Sequence, residues 1–190
     1  SKYGVKFKFN EQVKDIHGLD TPIVSTNKED IPFDKVIICA GVKTQEFRNK
    51  FGDNFRIYPV KGYSITIDLH DEISRNAAPY VSIKDDNSKI VSSRLGNRLR
   101  VAGTAELAGE NKEIRKERIT PLVEWVNDCF PEINTDNFIT WAGLRPMTSD
   151  MVPVMRESKR KNVFYNSGHG HLGWTMAAFA AKFISDLIED

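Results

Sequence analysis

The chain has 190 residues, enough for one domain with a sound core or for two small ones. Its 27 Lys and Arg nearly balance 26 Asp and Glu, so no overall field points to nucleic acid or to an anionic membrane surface. No apolar run approaches the length of a membrane span, and two cysteines are too few for a disulfide framework.

Cys39 in an apolar run and Cys129 near a helix end read as buried free thiols, which suits a reducing, cytoplasmic setting. No signal peptide precedes Ser1, and the chain opens without a methionine, directly before a strand-like run. That start predicts an excised piece of a longer polypeptide.

Taken in order, residues 5–9, 13–17, 21–25 and 35–39 read as four short strands separated by polar turns. The fourth runs on as the apolar Val36-Ile37-Ile38-Cys39-Ala40-Gly41, the pattern of a strand covered on both faces, and Thr44 is placed to cap a short helix through residue 50. The carboxyl end of such a strand is where open α/β sheets bind ligands. Strands of mixed alternation are predicted at 57–69, 80–84, 89–92 and 98–105, an antiparallel sheet with one wet face. A helix over 119–130 carries Leu122, Val123, Trp125, Val126 and Phe130 on one side. Pro121 suits its first position after Thr120, or a kink in a longer helix from about residue 113. A strand over 137–145, a turn through 147–150 and an extended piece over 151–155 lead to a strand at 162–166. The last helix is predicted from the three-and-four spacing of Met176, Ala177, Ala180, Phe183, Ile184, Leu187 and Ile188.

Between that strand and helix lies a glycine-and-histidine turn. Helix N–H groups pointing back into it would make an anion seat; the alternative is an ordinary strand-to-helix loop. Arg145 ends an apolar strand just before Pro146, so its planar fork is aimed either at a carboxylate or phosphate or at a structural acid. Gly62 sits inside a strand, where it marks a bulge or a close approach, and Tyr63 beside it offers a phenol toward a ligand. His169 and His171 are too few for a metal site, and no metal is expected; a base role is chemically open to either.

Several spaced segments together resemble the FAD-dependent D-amino-acid oxidase and glycine oxidase family, with bacterial D-amino-acid dehydrogenases as the nearest branch. They are Gly143-Leu144-Arg145-Pro146-Met147-Thr148-Ser149-Asp150, Pro153-Val154, and Ser167-Gly168-His169-Gly170-His171-Leu172-Gly173-Trp174-Thr175-Met176. Pro59-Val60-Lys61-Gly62-Tyr63 looks like the dehydrogenase form of a motif near the flavin, where glycine oxidases usually carry Arg-Gly-Gln. Met151 departs from the glycine that relatives commonly have after the aspartate.

The resemblance implies an α+β / α/β fold. Residues 1–50 and 142–190 would be part of a Rossmann-like FAD-binding domain, and 51–141 an inserted substrate-binding domain with an antiparallel sheet and a helix. It implies that Arg145 binds the substrate carboxylate, with Tyr63 beside it. Val13, Ala40, Gly41, Gly143 and the turn from Gly168 to Thr175 would lie along FAD. The implied reaction is oxidation of free D-amino acids to 2-oxo acids and ammonia by hydride transfer to FAD, as in amino-acid catabolism. Electrons would pass to a quinone or membrane acceptor, and peripheral attachment to the inner face of the cytoplasmic membrane goes with that. The alternatives are a glycine or sarcosine oxidase using oxygen, and a non-catalytic binding module of the same fold. The family's strand–GxGxxG–helix unit, which holds the pyrophosphate, is missing from this sequence; Gly168-His169-Gly170 belongs to the flavin-ring turn. The chain alone is therefore expected to be inactive and to lack FAD.

Overall fold

The computed structural model describes residues 3–189 and divides into two compact units, 1–58 with 146–190 and 59–145. The chain passes between them within two long strands.

The first unit opens with an antiparallel sheet of β1 (Val13–His17), β2 (Ile23–Thr26) and β3 (Asp30–Pro32). Residues 5–9, expected as a strand, do not enter a sheet, and Phe7 and Phe9 stack on one another with both rings exposed. Alternation alone does not make a strand when no ladder receives it. β3 forms from Asp30, the last residue of the polar segment read as a turn, and the two residues after it. β4 (Val36–Ile38) pairs in parallel with β11 (Val163–Ser167), which pairs antiparallel with β10 (Val154–Glu157). Ile38 is buried, but Ile37 is 41% exposed, so β4 is covered on one face rather than two. Thr44 is the first residue of α1 (Thr44–Phe51), not its cap; its hydroxyl donates to Ser167 Oγ at 2.9 Å. Ile16, Ile38, Val163 and Tyr165 form the core, with Phe47, Phe51 and Phe55 against it. Below it Asp53 accepts from Ser158 Oγ (2.5 Å), Tyr165 Oη (2.8 Å) and the Lys159 amide (2.9 Å). α4 (Ala177–Glu189) buries Ala180 and Ile184 and leaves Phe179 and Phe183 exposed.

The second unit is a five-stranded sheet in the order β6 (Ile83–Asp85), β7 (Ile90–Leu95), β8 (Arg98–Glu106), β5 (Ile57–Asp68), β9 (Phe138–Thr148). One face packs Tyr63, Ile65, Ile67, Leu99 and Val101 against α3 (Lys116–Cys129), whose Ile119, Leu122, Trp125 and Val126 recur at helical spacing. α3 takes the longer of the two predicted courses, with Pro121 inside it. A further short helix, α2 (Glu72–Ala77), is capped by the Asp71 carboxylate on the Ser74 amide and was not legible from apolar spacing. Both cysteines are exposed, contrary to expectation, because Cys39 follows the end of β4 and Cys129 is the last residue of α3.

Candidate active site

In the second unit, β9 carries Arg145 to the edge of the sheet, and its guanidinium lies directly against Gly62 of β5. A Cβ at position 62 would collide with all three terminal guanidinium atoms. Since Tyr63, Ile65 and Ile67 face the core, strand alternation puts Gly62 and Arg145 on the opposite face. Arg145 Nη1 donates to the Thr104 carbonyl at 2.9 Å. Among the described residues it has no ion pair with an acid. Burial without a counter-charge pulls its pKa down. A half-buried guanidinium of this kind, with N–H donors left over, has the chemistry to receive an anion. Gly143, expected at the cofactor, lies in this same unit beneath the indole of Trp141, which a Cβ would strike. Arg100 lies over that exposed indole, 5.4 Å from the ring centroid.

Tyr63 is placed differently from the sequence reading. It is 1% exposed, inside the core, and its phenol donates to Glu106 Oε2 at 2.5 Å. Lys61 Nζ, fully buried, lies 3.2 Å from the same carboxylate oxygen and donates to the Glu113 carbonyl at 3.1 Å. Arg115 Nη1 completes the cluster at 2.7 Å from Glu106 Oε1. The Tyr63 hydroxyl, then Lys61 and Arg115, hold the Glu106 carboxyl at about 2 against the opposing effect of burial. Contact with Tyr63, and with Glu106, raises the Lys61 pKa. Of this cluster the sequence reading names Tyr63 and, within the same motif, Lys61; their convergence with Arg115 on Glu106 emerges only in the fold. The signal was present, since Lys61 occupies an inward parity position (61, 63, 65, 67), where a cation requires a buried partner.

In the first unit, the carboxyl ends of the parallel strands β4 and β11 meet: Ser167 Oγ donates to the Gly41 carbonyl at 3.2 Å. Ala40 and Val13 line one shallow groove with Ile16, Val24 and Phe47. Beyond Ser167 the turn begins at Gly168 (φ 81°), where a Cβ would press on Thr148 Cγ2 at 2.9 Å. At Gly170 (φ 57°) it would meet Met147 Sδ at 2.6 Å. Both positions therefore need glycine for conformation and for space. The Gly170 amide donates to the Pro146 carbonyl at 2.9 Å, and His169 bridges to Met147, so the turn is laced to the end of β9. The amides of Met176 and Ala177 are spent on the carbonyls of Leu172 and Trp174, so the expected helix-end seat has fewer free donors than the sequence suggested. The turn encloses a cavity of about 40 Å³, room for roughly one water. His171, Trp174 and Thr175 are exposed, while burial lowers the His169 pKa. A wider cleft of about 400 Å³ near residues 54–56 and 148–156 has its Arg156 engaged by the Asn54 carbonyl and the Phe55 ring.

Residues 1–187 match the family model for DAO, the FAD-dependent oxidoreductases. The chain belongs to that family. It is 44% identical over 193 residues to D-amino acid dehydrogenase 3 of Mesorhizobium japonicum, covering 99% of this chain and 47% of the relative. To the D-amino acid dehydrogenase of Granulibacter bethesdensis it is 38% identical, covering 97% of this chain and 44% of that one. The chain thus spans about half the length of the curated relatives it matches. In fold it is similar to glycine oxidase from Bacillus cereus (TM-score 0.80, 24% identity, 94% of this chain and 50% of that one). It is also similar to L-proline dehydrogenase from P. horikoshii (TM-score 0.82, 18% identity, 98% and 51%). At those identities the likeness concerns the fold alone, and it agrees with the α+β architecture of the DAO family. No described helix is long and apolar enough to cross a membrane.

Proposed function

We propose that the chain is part of a flavin-dependent D-amino-acid dehydrogenase that oxidises free D-amino acids to 2-oxo acids and ammonia. The observation that carries this is Arg145: a guanidinium seated on a glycine, tied to a carbonyl, and lacking an acid partner among the described residues. Its free N–H groups suit two-point binding of an α-carboxylate. The likeness to relatives named D-amino acid dehydrogenase supports the substrate class.

The first unit offers residues that fit FAD. Thr148 Oγ1, Asn166 Oδ1 and His169 Nε2 are buried around the turn with no hydrogen-bond partner among the described residues, as a polar ring edge would require. The turn from Gly168 to Thr175, with Ala40, Gly41 and Val13, would hold the group. FAD, when bound, supplies the two-electron acceptor for the hydrogen leaving the amino acid Cα. Arg145 fixes the carboxylate, and so the orientation of that Cα. Tyr63 holds the Glu106 carboxylate from within the core. The imino acid formed takes up water to give the 2-oxo acid and ammonia. A quinone or membrane carrier, rather than oxygen, is proposed as the final acceptor.

Anaerobic dye reduction with D-alanine, compared with oxygen consumption, tests the proposal in the protein expressed from its complete reading frame. Dye reduction without peroxide is expected. Vigorous peroxide production would assign an oxidase instead.

A further inference from the structure

The pairing of β5 with β8 is regular from Tyr63↔Gly103 to Asp68↔Arg98, and then slips: the next partners are Lys61↔Glu106. Between those pairs β5 has one residue, Gly62, and β8 has two, Thr104 and Ala105. That count defines a β-bulge. Thr104 takes up the extra length with φ 68°. The left-handed region is ordinary for glycine and unfavourable for a β-branched residue, so the surrounding contacts must enforce it.

The consequence is directional. In an unbroken ladder the carbonyl at 104 would point within the sheet toward a neighbouring strand. Here it accepts from Arg145 Nη1 at 2.9 Å. On the core side both ends of the bulge are pinned. Gly103 stays paired with Tyr63, and Glu106 is clasped by Tyr63, Lys61 and Arg115.

We propose that Thr104 is a positioning residue, whose backbone carbonyl, turned out of the sheet by the bulge opposite Gly62, aims the Arg145 guanidinium at the substrate carboxylate. This rests on the reading of Arg145 as the carboxylate clamp. Without the bulge, Arg145 would keep its charge but lose the contact that fixes the plane of its fork, and two-point binding depends on that plane.

The test uses the flavin-loaded protein from the complete reading frame. Two readouts are taken: KM and kcat for D-alanine by dye reduction, and the Kd of D-lactate by calorimetry, which needs no turnover. Thr104→Gly keeps the left-handed conformation and Thr104→Val keeps the shape without the hydroxyl; both should leave KM and Kd within about twofold. Thr104→Pro forces φ to about −65° and should raise both constants about tenfold, with kcat within about threefold. A purely structural role would instead lower the active fraction and leave KM in place. Thr104→Val behaving like Thr104→Pro would assign the hydroxyl and overturn the carbonyl role. Arg145→Leu is measured in parallel. If it leaves D-lactate binding unchanged, the clamp reading fails. If it weakens binding while a folded Thr104→Pro does not, the positioning role fails and the clamp stands. Should Thr104→Pro not fold, Gly62→Ala decides, because its methyl must push the guanidinium off the Thr104 carbonyl. D-lactate affinity within about twofold of the parent would then refute the proposal.

Discussion

Replacing Arg145 with leucine tests the proposed clamp. Because no acid among the described residues pairs with Arg145, the change strands no described carboxylate. Its structural cost is one hydrogen bond to the Thr104 carbonyl, a net of about 0.5–1.5 kcal/mol, rising toward 3 for a charged donor. The functional cost is larger. Charge-assisted bonds to a substrate carboxylate contribute about 1.5–3 kcal/mol net, which converts to about a 10- to 150-fold rise in KM. Arg145→Lys should recover only a small part, because a point charge cannot serve the Thr104 carbonyl and a two-oxygen anion together. Steady-state dye reduction with D-alanine reads KM, and the visible spectrum reads bound flavin, which should be unchanged. Parent-like kinetics in Arg145→Leu would refute the carboxylate role.

Gly62→Ala should raise KM while leaving circular dichroism and the thermal midpoint near the parent's, since the collision falls on a side-chain terminus. Glu106 gives a pH signature. Its carboxyl lies at about 2 in the folded chain against an ordinary 4.5, so its contribution is complete above about pH 4.5 and is lost as pH falls toward 2. Urea unfolding across that window should show the loss, and Glu106→Gln should flatten it; an unchanged acid limb would contradict the cluster. Met151 holds φ 64° on an exposed turn, so Met151→Gly should stabilise by about 0.5–1 kcal/mol, the left-handed strain relieved less glycine's entropy, read as a higher thermal midpoint. The 190-residue chain expressed alone should purify colourless; a stoichiometric flavin spectrum would overturn that.

Local regularities were readable wherever one periodicity acted alone. The alternation of β5, β8 and β9, the helical stripe of α3 and the strand–turn–helix at the end of the chain all form within a few residues of expectation. Residues 5–9 show the limit: apolar alternation states what a strand could bury but not whether a ladder receives it. Where one compact unit ends and the next begins is likewise not a local property: β9 runs on through Thr148, and Gly143 and Arg145 lie with the antiparallel sheet. Met151 could be suspected from its departure from relatives, and its left-handed backbone gives the physical reason.

By itself the sequence determined residue chemistry and periodicity: an arginine at a strand end, glycines in a turn, a lysine on an apolar strand. Those are properties of a residue and its near neighbours. The tertiary structure alone decided which distant groups meet. Gly62 became the seat of Arg145, 83 positions away, because two strands are adjacent in a sheet. Lys61 could be buried because Tyr63, Glu106 and Arg115 converge on one carboxylate. The Thr104 carbonyl faces Arg145 because β8 has one residue more than β5 can pair. Register, not composition, sets that count.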